Sequence, residues 1–173
     1  QGFVVRGGSY DQNLVLLDDA TIYNASHLLG FYSVFNTWAV GSAAFYKSGM
    51  PARFGGRSAS VMQVEGRCGS LDKWENHLSV GLLSSNLSLS GPLVKNKLSV
   101  AMSGRRSYID MIILPAVNKI TKDKLSKYEN RLMFQDYNVK LLYKLSAKDR
   151  IELSAYTGSD MFTIYNKTNY LSN

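Results

Sequence analysis

From about Gly66 to the C-terminus, hydrophobic and polar positions alternate with a period of two, which puts apolar side chains on one face of a strand and polar ones on the other. Leu98, Val100 and Met102 share one parity, while Ser99, Ala101, Ser103 and Arg105 take the other. Met133, Tyr137, Val139, Leu141 and Tyr143 oppose Asp136, Asn138, Lys140 and Lys144. Further on, Ile151, Leu153, Ala155 and Thr157 oppose Glu152, Ser154, Tyr156 and Asp160. The runs Arg131 to Leu145 and Arg150 to Phe162 flank a turn at Ser146 to Asp149. They exceed the five or six residues usual in soluble sheets and match the roughly 9–11 residues of membrane-barrel strands joined by tight turns.

The first alternating stretch contains a parity break. Leu78, Val80 and Leu82 fall on one face, but Leu83, Leu87 and Leu89 fall on the other, so an unbroken strand would turn its apolar side over. A bulge or a tight hairpin around Leu83 to Asn86 repairs the pattern. The hairpin fits the loop lengths better, since bacterial barrels have short turns on one side of the membrane and long loops on the other. It puts the short turns at Gly91 to Lys97 and Ser146 to Asp149 on the periplasmic side and the long connection from Tyr108 to Asn130 outside.

Residues 1–66 have a different texture. Short apolar runs at Phe3 to Val5, Leu14 to Leu17, Ala43 to Tyr46 and Val61 to Val64 are strand-length and are separated by glycine-rich and other turn sequences. This pattern predicts an α+β unit with elaborate loops, followed over residues 67–173 by antiparallel strands.

Composition narrows the function classes. Twenty Lys and Arg against 13 Asp and Glu give a formal charge of +7. The basic residues are scattered, with a concentration only at Lys119, Lys122, Lys124 and Lys127 that is interleaved with Asp123 and Glu129. That is the pattern of a solvated face and supports no nucleic-acid partner. The single Cys68 excludes an internal disulfide and leaves too few thiols for a structural zinc site. No apolar run approaches the roughly 18 residues of a membrane helix, so a membrane role has to come from strands. The chain begins at Gln1 with no initiator Met or signal sequence, as expected of an internal piece of a longer protein.

Chemistry-bearing motifs are sparse. Gly41 to Ser48 approaches a phosphate loop, but Tyr46 stands where a glycine must let backbone amides reach the phosphates. His27 and His77 lack carboxylate or thiol neighbours at metal-ligand spacing. There is no nucleophile elbow and no convincing pair of catalytic carboxylates. Tripeptides at Asn24, Asn86 and Asn166 that fit the glycosylation pattern are short enough to arise by chance. The expectation is a non-enzyme without metal or cofactor.

Several segments together carry a resemblance. Gly2-Phe3-Val4-Val5-Arg6-Gly7-Gly8-Ser9-Tyr10-Asp11-Gln12-Asn13, then Leu16-Leu17-Asp18, Tyr23-Asn24, Ser26-His27-Leu28 and Gly30-Phe31, lead to Pro51-Ala52-Arg53-Phe54-Gly55-Gly56-Arg57. Beyond these come Gly81-Leu82-Leu83-Ser84-Ser85, Gly91-Pro92-Leu93 and Arg105-Arg106-Ser107-Tyr108. The chain thereby resembles the TonB-dependent receptors of bacterial outer membranes, in the subgroup common in Bacteroidetes. Asp19 stands where that family has a glycine, so the turn at Asp18-Asp19 is expected to differ.

The resemblance implies that residues 1–66 are the C-terminal part of an α+β plug domain and residues 67–173 the first strands of an antiparallel transmembrane β-barrel of about 22 strands. It implies uptake of a scarce solute such as a siderophore, oligosaccharide or peptide. The partners implied are outer-membrane lipid, a TonB-type energy-coupling protein acting through a segment ahead of this chain, and a surface lipoprotein. His27, Phe31, Tyr32 and Phe35 would lie at the plug apex, where a ligand docks. Arg6, Arg53 and Arg57 would pair with acidic residues on the inner barrel wall. Tyr108, Tyr137 and Tyr143 would join an interfacial aromatic girdle. A β-rich surface binding or adhesion module without transport is the alternative.

Overall fold

The computed structural model describes residues 3–113, 115, 119 and 128–166. Most of the long connection expected over residues 108–130, including Lys122, Lys124 and Lys127, lies outside the described residues. The chain is β-dominated. The α component expected of residues 1–66 is not found among the described residues of that segment, where helical geometry is confined to two short 3-10 turns, Tyr10–Gln12 and Leu28–Gly30. Glycines and turn formers recur too closely there to leave a run in which an α-helix could nucleate.

Four strands form the first sheet: β1 (Asn13–Leu17), β2 (Ala20–Thr21), β5 (Val40–Tyr46) and β6 (Ser60–Gly66), in the order β2-β1-β6-β5. β1 runs parallel to β6, with Leu14 beside Val61 and Leu17 beside Val64. This central pair explains the continuous apolar run in β1, since both of its faces are covered. Val15, Leu16, Val61 and Val64 are buried and form its core. Three of the four apolar runs are thus strands. The fourth, Phe3 to Val5, is not, because Arg6 and Gly7 turn the chain at positive φ and Gly8 N–H closes the turn on the Val5 carbonyl. Phe3 packs edge-on against Phe45 instead.

Asp18 and Asp19 form the two-residue loop between β1 and β2, both left-handed at φ 48° and 65°. That is the type I′ geometry in which glycine or asparagine is usual, and aspartate is one of the few other residues that tolerates it. Asp19 therefore adopts a left-handed conformation more usual for glycine. A small hairpin follows, β3 (Ser26–His27) and β4 (Tyr32–Ser33), bridged by the 3-10 turn.

The second large sheet is an antiparallel meander of β7 (Glu75–Val80), β8 (Ser84–Val94), β9 (Leu98–Ser107), β10 (Tyr128–Lys144) and β11 (Arg150–Asn166). The parity break is resolved by a hairpin, with Val80 opposite Ser85 and the turn at Gly81 to Leu83, slightly ahead of the expected position. Tyr108 braces that turn by donating its hydroxyl to the Gly81 carbonyl. Between β10 and β11 the Ser146 hydroxyl accepts the Lys148 and Asp149 N–H groups at 3.1 and 3.0 Å, which closes the short turn. β10 and β11 pair without interruption over 17 residues each, from Tyr128 opposite Asn166 to Lys144 opposite Arg150.

This sheet is inverted, with polar side chains turned inward and large apolar ones outward. Ser84, Ser88, Ser90, Ser99, Ser103, Arg105, Ser107, Asp136 and Lys140 lie on its buried face, against the N-terminal unit. The opposite face leaves Leu78, Val80, Leu87, Met102, Val139, Ile151 and Leu153 exposed. Among the described residues, no helix is long and apolar enough to cross a membrane.

Candidate functional site

The N-terminal unit meets the polar face of the long sheet through two ionic contacts. Alternation alone places Arg105 of β9 and Asp136 of β10 directly opposite each other on that face. Asp136 is fully buried, at 0% exposure, and its carboxylate meets three side chains. Arg105 Nε donates to one oxygen at 2.7 Å, and its Nη2 lies 2.5 Å from the same oxygen. Tyr156 Oη at 2.9 Å and His27 Nε2 at 2.5 Å reach the other. Gly158, paired with Asp136 across the strands, leaves room for this: a Cβ there would lie 3.1 Å from the Asp136 carboxylate and 3.0 Å from the Tyr156 ring.

His27 is the N-terminal unit's part of this cluster. Its Nδ1 lies 2.5 Å from Asp160 of β11, and the ring stacks on Phe134 with centroids 5.0 Å apart. The backbone N–H of Leu28 donates to the second Asp160 oxygen at 3.2 Å, and Arg105 Nη2 donates to the Ser33 carbonyl at 2.6 Å. Both strands of the β3–β4 hairpin are therefore tied to the wall.

The second contact has the opposite polarity. Lys140 of β10 donates to Asp18 at 2.6 Å, to the Gly66 carbonyl at 3.2 Å and lies 3.0 Å from Glu152. Asp18 also accepts the Gly66 N–H at 2.9 Å, so one carboxylate joins the β1–β2 turn, the end of β6 and the wall. A third contact is aromatic: Trp38 stacks on His77 of β7 at 4.3 Å.

Between these contacts lies a cavity of about 260 Å³, bounded by Ile22, Trp38 and Ala39 on one side and by Ser88, Ser90, Ser103, Asn138 and Tyr156 on the other. Short hydroxyl side chains on the sheet create this space. Ser103 Oγ and Asn138 Nδ2 have no hydrogen-bond partner among the described residues. No three His, Cys, Asp or Glu side chains among the described residues are grouped so as to hold a metal ion.

The residues expected at a ligand-binding apex do not share one surface. Phe31 is 87% exposed at the tip of the β3–β4 hairpin. His27 is buried in the ionic cluster, Tyr32 packs on Phe134 at 4.9 Å, and Phe35 is half-buried beside Ser33. Wall contacts take up His27 and Tyr32, and Phe31 alone is presented outward.

The arginines expected to pair with the wall brace loops of their own unit. Arg6 Nη1 donates to the Lys47 carbonyl at 3.3 Å. Arg53 donates to Gln63 at 3.0 Å and lies 4.6 Å over the Phe54 ring. Arg57 donates to the Asp11 carbonyl at 2.5 Å. Among the described residues the ionic contacts between the N-terminal unit and the long sheet are made by Asp18 and His27, with Asp136, Lys140 and Asp160 on the sheet and Arg105 beside Asp136. The available signal for these was a set of charges on the polar parity of strands whose other face is apolar. Comparison with protein-family models, curated proteins and solved structures finds no match to this chain.

Proposed function

We propose that this chain is part of a TonB-dependent outer-membrane receptor, with residues 1–66 at the rear of the plug and residues 67–173 in the first barrel strands. The observation that carries this reading is the inverted sheet. Seven large apolar side chains stand exposed on its outer face. At about 1.5–3 kcal/mol for each such side chain left in water, the exposure is comparable with the whole stability of an ordinary domain, about 5–15 kcal/mol. Hydrocarbon on that face removes the penalty. The 17-residue strands, ~55 Å long at about 3.3 Å per residue, are more than long enough to cross a bilayer core of about 30 Å at a tilt.

The inner face supports the same reading. A plug that must be displaced needs an interface of exchangeable polar contacts, and the hydroxyl-lined wall and ion pairs supply one. In this proposal a scarce solute such as a siderophore, oligosaccharide or peptide binds outside, with Phe31 the exposed aromatic available to touch it. A TonB-type protein then pulls through a segment ahead of the plug, and a surface lipoprotein assists capture. Nothing in the cycle requires bond chemistry.

Spin labels test the reading. Labels at Val139 and Leu153 are expected to be accessible to lipid-soluble oxygen, and one at Ser154 to a water-soluble relaxation agent. The reverse pattern, or an intact protein that stays monodisperse without detergent, would overturn it.

A further inference from the structure

The cluster around His27 has a proton requirement set by its geometry. An ionised carboxylate only accepts hydrogen bonds, and a neutral imidazole has a single N–H. His27 meets a carboxylate oxygen at 2.5 Å from each ring nitrogen, Asp136 on one side and Asp160 on the other. Both contacts form together if both nitrogens carry protons or if one carboxyl does. Asp136 already accepts from Arg105 and Tyr156, and Asp160 accepts the Leu28 N–H, so the acceptor role of each is already in use. The proton therefore belongs on the ring.

Charge gives the same answer. The groups facing His27 are Arg105 from β9, Asp136 and the Phe134 ring from β10, and Asp160 and Tyr156 from β11, with Tyr32 alongside from β4. Two carboxylates against one guanidinium leave an excess negative charge beside the buried ring, and an imidazolium balances it.

We propose that the β3–β4 hairpin is a proton-dependent latch, seated on the wall while His27 carries both ring protons and released when the ring gives one up. Loss of the proton turns one ring nitrogen into a lone pair facing a carboxylate. Asp136 is fixed by Arg105 and Tyr156 as well, whereas Asp160 is a third exposed, so the contact that opens is the one to Asp160. Leu28 follows, because its N–H is held by the same carboxylate and its backbone sits at φ 50°, a conformation leucine rarely adopts. The hairpin then moves together with Phe31. The latch stands on contacts between hairpin and sheet, whatever covers the sheet's outer face.

The direction in pH follows from the His27 environment. Burial works against the charged ring, but the hydrogen bonds and charges of Asp136 and Asp160 outweigh it, and the net effect raises the imidazole above its ordinary value of 6.5. A raised histidine stabilises the seated state fully below that ordinary value, and the stabilisation disappears as the pH climbs through the raised one.

The test uses the intact protein in a Cys68→Ser background, with spin labels replacing Phe31 and Thr157, taken from about pH 5.5 to about pH 9.5, on either side of histidine's ordinary range. The ring nitrogens of His27 are followed by NMR over the same range. One distance is expected at the acid end, with a second, longer one becoming the majority as His27 loses its proton. Asp160→Asn, whose amide can donate to a neutral ring, is expected to abolish the second distance, while Asp18→Asn leaves the pH step in place. A singly protonated His27 while the hairpin is seated would overturn the proposal. So would a distance that does not follow the ring titration, or an Asp160→Asn protein with an unchanged pH step. The titration of the unsubstituted chain decides the matter even where a variant does not fold.

Discussion

Lys140 of β10 and Asp18 of the β1–β2 turn stand 122 residues apart in the chain and meet at 2.6 Å, with the Lys140 ammonium almost wholly buried. A pair in such a place contributes little net stability against a well-packed apolar substitute, because desolvation offsets most of the attraction. Removing one member is different. Lys140→Ala leaves Asp18 without its cation, while Glu152 keeps Arg150 at 2.9 Å, and should cost about 3–5 kcal/mol. Urea unfolding measures this, and limited proteolysis at the β1–β2 turn should show that unit loosening first. An Asp18→Asn, Lys140→Met double substitution should recover much of the loss, since the uncompensated charge at Asp18 is removed along with its partner.

Asp136 presents the same arithmetic more severely. It is completely buried and answers Arg105, Tyr156 and His27 at once. Asp136→Ala strands a buried guanidinium and should cost about 3–5 kcal/mol or prevent folding. Asp136→Asn keeps the shape but loses the charge, and should cost less. Chemical denaturation of the two variants side by side gives the order; equal losses would mean that charge, not shape, is what the site needs.

Gly69 tests close packing between the linker and the sheet. A Cβ there would fall on the Val100 backbone, 2.8 Å from its carbonyl carbon, and 3.2 Å from the Gly91 nitrogen. Backbone cannot rotate away as a side chain would. Gly69→Ala should therefore destabilise by about 1–3 kcal/mol, the usual range for overpacking. Gly55→Ala, where nothing lies within 4 Å of the added atom, should stay within about 0.5 kcal/mol of the parent. Thermal unfolding of the pair separates local crowding from any general intolerance of alanine.

What was legible in the sequence divides by range. The faces of β9, β10 and β11 follow from alternation, and the parity break between Leu82 and Leu83 predicts a hairpin that exists. These are local signals, carried by residues two apart. The ionic contacts were not legible, because His27 meets Asp160 across 133 positions and nothing nearby in the chain says which carboxylate will face it. The contacts of Arg6, Arg53 and Arg57 with Lys47, Gln63 and Asp11 span 41, 10 and 46 positions and were not legible either. The expected helical content failed on a local rule that was available, namely that glycine-rich stretches this short do not nucleate helices.

Leu153 offers the decisive comparison between lipid and water. It lies on the outer face of β11, 64% exposed, and its neighbour across the strands is Leu141. Were that face wet, Leu153→Arg would replace an exposed apolar group with a solvated one and change stability by less than about 0.5 kcal/mol, while improving solubility. Facing hydrocarbon, the same arginine must be carried into the bilayer, at about 2–4 kcal/mol near the midplane and less toward either interface. The proposal expects the larger loss, measured as a shift in the denaturant midpoint of the intact protein folded into vesicles. Ser154→Arg, one residue on, is the control, since its side chain points to the polar face and should escape the lipid penalty. A Leu153→Arg protein as stable as its parent in vesicles would leave the exposed apolar face without the solvent proposed for it.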